Sequence, residues 1–389
     1  MSEWKECTIG ELCKNICSGG TPNRSNADFF RNGNIPWLNT KEVSFNRIYQ
    51  TENFITEAGL KSSAAKWIPE NTVVVAMYGA TAGRSAIAKI PLTTNQACCN
   101  LVVDEDKADY RFVYYWLLGN YEHLASLANG GAQQNLNAGL IRDYKVRAPD
   151  LELQRKIADI LSSLDDKIEL NNQINRNLEE QIQTLFLEMF SNDPSEPLGT
   201  VVETTSGGTP NRKIEEFYEN GSVCWVKSKE LQGSFITDTE EKITNEALVK
   251  SAAKIIPANS VMIAMYGATV GEYGIISKEM ACNQAVCALL ENEKYPYTYL
   301  FMLVKTRKQD LINMAVGSAQ QNISQVIIKE MLVHSDLDKI QKFHKCVAPL
   351  FQEMKQNKEE NVLLKGILDY LLPKLMSNEI NVDLARSNR

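Results

Sequence analysis

The chain contains two sets of short polar loops whose side chains are suited to binding nucleic acid. Asparagine, glutamine and arginine can read base edges, whereas threonine and tyrosine hydroxyls and backbone amides contact phosphates. Three of the loops recur at an offset of 188 residues, and the fourth recurs at 187. They are Ser-Gly-Gly-Thr-Pro-Asn-Arg at 18–24 and 206–212, Tyr-Gly-Ala-Thr at 78–81 and 266–269, Asn-Gln at 95–96 and 283–284, and Gln-Gln-Asn at 133–135 and 320–322.

These loops and nearby cations provide the candidate DNA-binding residues. Arg24 and Arg212 are the strongest candidates, because flexible glycines stand beside them. Alternatively, the asparagines and glutamines cap turns and satisfy backbone groups. The candidates of the first copy are Thr21, Asn23, Arg24, Lys41, Tyr78, Thr81, Arg84, Asn95, Gln96, Gln133, Gln134 and Asn135. Those of the second copy are Thr209, Asn211, Arg212, Lys227, Lys229, Tyr266, Thr269, Asn283, Gln284, Gln320, Gln321 and Asn322.

The sequence predicts no catalytic residues and no metal ligands. The histidines His123, His334 and His344 do not occupy equivalent positions in the two copies, which excludes a duplicated histidine-dependent site. There is no Gly-x-x-x-x-Gly-Lys-Ser/Thr phosphate loop, no Asn/Asp-Pro-Pro-Tyr/Phe segment of an amino-methyltransferase and no convincing nuclease carboxylate cluster. The nine cysteines lack paired metal-type spacing, so we expect reduced thiols.

The same features predict a cytoplasmic protein. The first ten residues contain no charged-then-apolar signal, and no apolar run approaches the roughly 18 residues of a membrane span. Reduced thiols are typical of a cytosol.

The elements that position the loops are also duplicated. Residues 55–84 and 243–272 agree at 18 of 30 positions, and so long a period indicates a duplicated domain rather than a solenoid repeat of about 20–50 residues. β-Branched runs and helical periodicity predict an α/β fold for each copy. The predicted strands are 72–78, 85–90, 98–103 and 141–148, with 261–266, 273–277, 286–290 and 326–334, and the predicted helices are 110–129 and 298–315.

A heptad pattern follows each copy, over residues 157–189 and 343–375. If the two helices run antiparallel with partner numbers that sum to 532, all ten layers pair an apolar residue with an apolar one or an amide with an amide. This pattern predicts an antiparallel coiled coil about 48 Å long with an approximate two-fold axis at its centre. Alternatively, the helices pack separately on their own domains. The diagnostic pairs are Asn171 with Asn361, Asn175 with Asn357, Ile157 with Leu375 and Met189 with Phe343.

These patterns divide the chain into five segments. The first repeat is 1–149, the second repeat is 194–336, the spacer helices are 150–193 and 337–378, and the tail is 379–389. The net charge of −7 includes −6 from the first spacer helix, whereas the repeats carry +1 and −4. A chain with this charge should bind a polyanion weakly by itself, so we expect partner subunits to share the binding.

The doubled order of these motifs resembles the specificity subunit of type I restriction–modification systems. The resemblance covers essentially the whole chain and rests on the Ser-Gly-Gly-Thr-Pro, Gly-Ala-Thr-x-Gly, Asn-Gln and Gln-Gln-Asn motifs and the two helices. It implies that the repeats are target-recognition domains, each of which reads one half of a bipartite site in double-stranded DNA. It also implies two methyltransferase subunits docked on the helices, with motor–nuclease restriction subunits joined to them. S-adenosylmethionine, ATP and magnesium would then belong to the partners, and none to this chain.

Two other classes of function stay open from the residues alone. A self-sufficient DNA-modifying enzyme would transfer methyl groups as the purified chain. A coiled-coil scaffold with two heads for other ligands would not bind DNA even with methyltransferase subunits present. Within the favoured class, the closeness of the two repeats raises the expectation that the two half-sites are related in sequence.

Overall fold

The computed structural model describes residues 3–129, 135–191, 194–315 and 322–382. The chain forms two compact units, of which the first contains Met1–Asp166 with Lys365–Arg389 and the second contains Lys167–Leu364. Each unit therefore contains one repeat together with a part of each long helix.

The first unit is built around two small sheets. Its core strand, Val73–Ala76, is buried at every residue, as its β-branched sequence predicts. The five-stranded sheet has the order Cys13–Ser18, Cys98–Val103, Val73–Ala76, Ser85–Ala88 and Asn46–Ile48, and the four-stranded sheet has the order Phe54–Ile55, Ile35–Leu38, Leu92–Thr94 and Trp67–Ile68. Lys5–Thr8 pairs with Lys145–Ala148. The short helices are Ile9–Leu12, Ala27–Phe29, Thr40–Glu42, Glu57–Lys61 and Gly79–Thr81.

The second unit repeats this arrangement, which confirms the predicted duplication of an α/β domain. Its five-stranded sheet has the order Glu203–Ser206, Val286–Leu290, Val261–Ala264, Tyr273–Ile276 and Phe235–Ile236. Its four-stranded sheet has the order Lys242–Ile243, Val223–Val226, Met280–Cys282 and Ile255–Ile256, and Glu196–Pro197 pairs with Leu332–Val333. The short helices are Leu198–Val201, Glu215–Phe217, Ser228–Glu230, Asn245–Lys250 and Gly267–Thr269.

The strands predicted over 141–148 and 326–334 are wrong in their first halves. Helices Ala138–Arg142 and Gln325–Glu330 extend into these segments, and the strands there are limited to Lys145–Ala148 and Leu332–Val333. The reason is N-terminal capping: the Asn137 side chain accepts a hydrogen bond from the Leu140 amide, and the Ser324 hydroxyl accepts one from the Ile327 amide.

The longer helices of the repeats lie close to their predicted positions. Helix Tyr297–Ala315 begins one residue before its predicted start. The helix predicted over 110–129 is divided into Tyr110–Gly119 and Tyr121–Asn129. Asn120 is the C-cap of the first of these, and its side-chain amide donates to the Trp116 carbonyl oxygen at 2.8 Å.

The two heptad segments form the long helices Leu151–Met189 and Leu337–Met376. In the second unit, the Asn171 amide donates to the Asn361 side-chain oxygen at 2.9 Å, and the Asn357 amide donates to that of Asn175 at 2.8 Å. The residue numbers rise on one helix as they fall on the other, so the predicted antiparallel register of the asparagines is confirmed.

Apolar residues on either side of the asparagines are buried within the unit to which they belong. Ile157, Leu161, Leu368 and Leu375 belong to the core of the first unit, as the heptad predicts. Ile182, Phe343, Val347 and Met354 belong to the core of the second.

No helix within the described residues is long and apolar enough to cross a membrane.

Candidate nucleic-acid interface

The double glycine before each Thr-Pro-Asn-Arg segment packs directly against backbone. A Cβ atom on Gly19 would lie 2.1 Å from the Thr94 carbonyl oxygen, and one on Gly207 would lie 1.8 Å from that of Cys282. The buried Trp37 indole N–H also donates to the Gly20 carbonyl oxygen at 3.0 Å. Trp225 makes the same bond to Gly208 at 3.1 Å in the second repeat. These contacts fix the start of each candidate loop.

The Asn-Gln pairs join the first loop to the sheet. Thr21 hydrogen-bonds to the Gln96 side chain, and Thr209 does the same with Gln284. Their preceding asparagines act as turn caps, because the Asn95 side-chain oxygen accepts from the Ala97 amide at 3.0 Å and its twin Asn283 accepts from the Ala285 amide at 3.1 Å.

Asn23 and Asn211 have the same turn-capping role in the first loops. The Asn23 side-chain oxygen accepts from the Ser25 amide at 3.1 Å, and that of Asn211 accepts from the Lys213 amide at 3.0 Å. For these asparagines, the structure matches the turn-capping alternative of the sequence analysis.

The Tyr-Gly-Ala-Thr turns present an exposed tyrosine. Tyr78 and Tyr266 have 39% and 43% of their surface exposed. Each turn begins at a glycine with a left-handed backbone, with φ of +76° at Gly79 and +73° at Gly267. Thr269 donates to the Tyr266 carbonyl oxygen at 3.2 Å. Thr81, the twin of Thr269, is half-buried.

Backbone hydrogen bonds bring the Asn-Gln pair, the tyrosine turn and the end of the Gln-Gln-Asn loop to one edge of each repeat. In the first repeat, the Met77 amide donates to the Ala97 carbonyl oxygen at 2.8 Å, and the Leu136 amide donates to that of Met77 at 3.2 Å. Asn135 therefore lies at the same edge of the repeat as Tyr78.

The second repeat has the same connections. The Met265 amide donates to the Ala285 carbonyl oxygen at 2.8 Å, and the Met265 carbonyl oxygen accepts from the Ile323 amide at 2.9 Å. Tyr266 forms a β-bridge with the exposed Asn322. The candidates Gln133, Gln134, Gln320 and Gln321 lie outside the described residues.

In the first repeat, a cavity of about 870 Å³ lies beside the Thr-Pro-Asn-Arg loop, and we call it the first pocket. The Arg24 guanidinium lies 5.9 Å from the centre of the Trp37 ring. Asn39 accepts a hydrogen bond from the Asn95 side chain at 3.3 Å. The lining residues are Arg24, Ala27, Phe30, Arg31, Trp37, Asn39, Thr40, Lys41, Asn53 and Asn95.

In the second repeat, the equivalent residues form an ionic cluster, which we call the second cluster: Arg212, Tyr218, Trp225, Lys227 and Glu241. The Arg212 guanidinium lies 4.5 Å from the centre of the Tyr218 ring and 5.0 Å from that of Trp225. It donates to Glu241 at 3.0 Å, and Lys227 donates to the same carboxylate at 2.9 Å. Hydrogen bonding from Arg212, together with Lys227, lowers the pKa of Glu241 to about 2, and Glu241 in turn raises the pKa of Arg212.

Of the remaining cationic candidates, the two lysines are equivalent, whereas Arg84 corresponds to Glu272 in the second repeat. Lys41 forms an ion pair with Glu52, and Lys229 forms the equivalent pair with Glu240. Arg84 is not among the residues that line the first pocket; it donates to the Ser44 hydroxyl at 3.2 Å and lies 5.9 Å from the Phe45 ring centre.

Sequence reasoning missed several residues of these sites, among them Trp37, Trp225, Asn39, Asn53 and Glu241. Trp37 and Trp225 occupy equivalent positions in the two repeats. The sequence did not indicate that their indole N–H groups donate to the carbonyl oxygens of the glycines. The sequence signal at Asn53 and Glu241 was a difference between the repeats, since these unlike residues each follow the same Thr-Glu pair.

The comparisons with known proteins agree with this doubled arrangement. The sequence model of the type I restriction modification DNA specificity domain matches residues 1–180 and 195–342. The chain belongs to this family. The two matched parts correspond to the two repeats, so this specificity-family chain contains the family domain twice.

Similar proteins span the whole chain. It is 27% identical to the specificity subunit of the type I restriction enzyme MjaIX of Methanocaldococcus jannaschii, over 98% of this chain and 97% of that protein. It is 24% identical to the HindI specificity subunit of Haemophilus influenzae, over 98% and 100%. The crystal structure of the type I restriction–modification S subunit from M. genitalium has the same fold, with a TM-score of 0.61 and 20% identity over 96% of both chains.

Proposed function

We propose that this chain selects the DNA sequence on which a type I restriction–modification complex acts. Residues 1–149 and 194–336 serve as its two target-recognition domains, and each reads one half of a bipartite site. The observation that carries the proposal is the repeated edge that joins Thr21, Gln96, Tyr78 and Asn135 in the first repeat, with its counterpart in the second. The polar and aromatic side chains at this edge are suited to bases and phosphates.

The chemistry on DNA is assigned to partner subunits. Two methyltransferase subunits bind the long helices, and motor–nuclease subunits join through them in the cytoplasm. S-adenosylmethionine, ATP and magnesium are used by these partners. The relatives named as specificity subunits support this division, as does the lack of a histidine shared by the two repeats.

Methylation of a randomised duplex library tests the proposal. We expect no methyl transfer by the purified chain, and transfer to a split sequence when methyltransferase subunits are added. Replacing residues 1–149 with the corresponding domain of a relative should change one block of that sequence and leave the other intact. Methyl transfer by the pure chain, or an unsplit recognition sequence, would contradict the proposal.

A further inference from the structure

The two repeats differ by a coordinated exchange of side chains between the first pocket and the second cluster. Asn39 and Asn53 of the first repeat correspond to Lys227 and Glu241 of the second. The second repeat has a cation in place of one amide of the first repeat and an anion in place of the other. The net charge contributed by the two positions is therefore zero in both repeats. A paired change of this kind keeps the fold and alters which groups the pocket offers.

The backbone around the exchanged positions is the same in both repeats. The Trp37 amide donates to the Asn53 carbonyl oxygen at 2.9 Å, and the Trp225 amide donates to that of Glu241 at 3.3 Å. The exchange therefore places different side chains at equivalent points of one frame.

In the first pocket, the exchange leaves an arginine available for a ligand. Arg24 makes no hydrogen bond or ion pair with any residue in the described part of the chain, and its guanidinium rests over Trp37. Asn39 and Asn53 line the same cavity with neutral amides. This pocket thus offers a guanidinium and two amides.

In the second cluster, the corresponding arginine is held by a carboxylate. Glu241 accepts from Arg212 at 3.0 Å and from Lys227 at 2.9 Å, so one carboxylate fixes both cations. A charged group held in this way presents its remaining hydrogen-bonding atoms in a defined direction. The second cluster thus offers an ammonium, a guanidinium and a carboxylate.

We propose that Asn39 with Asn53, and Lys227 with Glu241, are specificity-determining residues that make the two half-sites different in sequence. The inference rests on the proposed function. Amides pair with the adenine edge, whereas lysine or arginine pairs with guanine and a carboxylate accepts from the cytosine amino group. Because Arg24 and Arg212 are common to the two repeats, the difference lies in the exchanged pair. Asn39 and Asn53 therefore select an A·T pair at the position where Lys227 and Glu241 select a G·C pair.

Transplanting the pair tests this assignment. The full chain carrying N39K/N53E is combined with its methyltransferase subunits and assayed on a randomised duplex library beside the wild type. We expect one half-site to change from A·T to G·C at one position, with a preference altered roughly tenfold or more, while the other half-site is unchanged. The reciprocal K227N/E241N variant should change the other half-site from G·C to A·T.

A matched control introduces the same residue types outside the pocket. Glu246 and Lys250 form an exposed ion pair on helix Asn245–Lys250, and Ala58 and Ser62 are the exposed equivalents in the first repeat. The A58E/S62K variant therefore also transplants one glutamate and one lysine from the second repeat. We expect it to methylate the wild-type sequence.

The outcomes separate the inference from the proposed function. If the wild-type complex methylates no split sequence, the proposed function itself is wrong. If the wild type does so and the N39K/N53E complex keeps the same half-sites, or loses methylation equally on all sequences while remaining folded, the inference is wrong. Thermal unfolding establishes whether each variant is folded, and if N39K/N53E is unfolded, the reciprocal variant decides by the same criteria.

Discussion

Glu241 binds two cations of the second repeat, whereas Asn53 occupies the equivalent position in the first. Both cations favour the ionised carboxylate, and the pKa of Glu241 is lowered to about 2. The pKa of Glu241 in the folded chain lies below its value in the unfolded chain. The ionised carboxylate therefore stabilises the folded chain, and this stabilisation is fully present at pH values above the unfolded pKa. That stabilisation is lost as the pH falls through the folded pKa.

We expect E241Q to lower the stability of the chain near neutral pH, because Arg212 and Lys227 lose their shared anion. The difference from the wild type should shrink as the pH falls from about 4.5 towards about 2. Urea unfolding of both proteins at a series of pH values measures it. E246Q, which removes an exposed ion pair with Lys250, is the control and should change stability little. A deficit for E241Q that is independent of pH would contradict this account.

At this scale, the sequence predicted which loops bind DNA but not which of their side-chain atoms the fold leaves available. The repeated Asn95 and Asn283 were candidates for reading bases, yet each caps a turn through its side-chain oxygen. Repetition alone cannot separate these roles, because a turn that supports a binding loop recurs together with the loop. Partner contacts such as that between Arg212 and Glu241 join residues 29 apart along the chain, so no local pattern indicates them.

At the scale of elements, periodicity predicted the long helices well and the short elements poorly. Heptads located Leu151–Met189 and Leu337–Met376 because many turns repeat the same burial pattern. The short helix Ala138–Arg142 was mistaken for part of a strand, since five residues are too few for a period to emerge. Its one sequence signal was the capping residue Asn137.

The asparagine layers of the long helices give a prediction at the same scale. Asn175 has 7% of its surface exposed and accepts from the Asn357 amide at 2.8 Å. We expect N357L to destabilise the second unit by about 1–3 kcal/mol, because the Asn175 oxygen loses its donor. The N175L/N357L variant should recover most of this loss, since the layer then becomes apolar.

A double-mutant cycle measured by urea unfolding of the full chain tests the asparagine layer. N177L is the matched control, because Asn177 is exposed on the same helix and its replacement should change stability by no more than about 0.5 kcal/mol. Additive effects of N175L and N357L would show that the two amides do not stabilise each other.

At the scale of the whole molecule, charge limits what the chain can do by itself. The net charge is −7, and residues 194–336 alone carry −4. Several cations near the candidate loops of the second repeat are already paired with Glu240 or Glu241, among them Arg212, Lys227 and Lys229. Each such pair must be weakened before its cation can replace a counterion on a phosphate.

We therefore expect the isolated chain to bind duplex DNA weakly and with a shallow dependence on salt. The logarithm of the binding constant should fall with the logarithm of salt concentration by about 0.9 for each phosphate neutralised, so few contacts give a small slope. Added methyltransferase subunits should raise the affinity and steepen the slope, because they contribute further phosphate contacts. Fluorescence anisotropy with a duplex containing the methylated sequence, and with a scrambled duplex of equal length as the control, measures both quantities. Tight binding with a steep slope by the chain alone would mean that its own surface neutralises the phosphates, and the division of binding between this chain and its partners would be wrong.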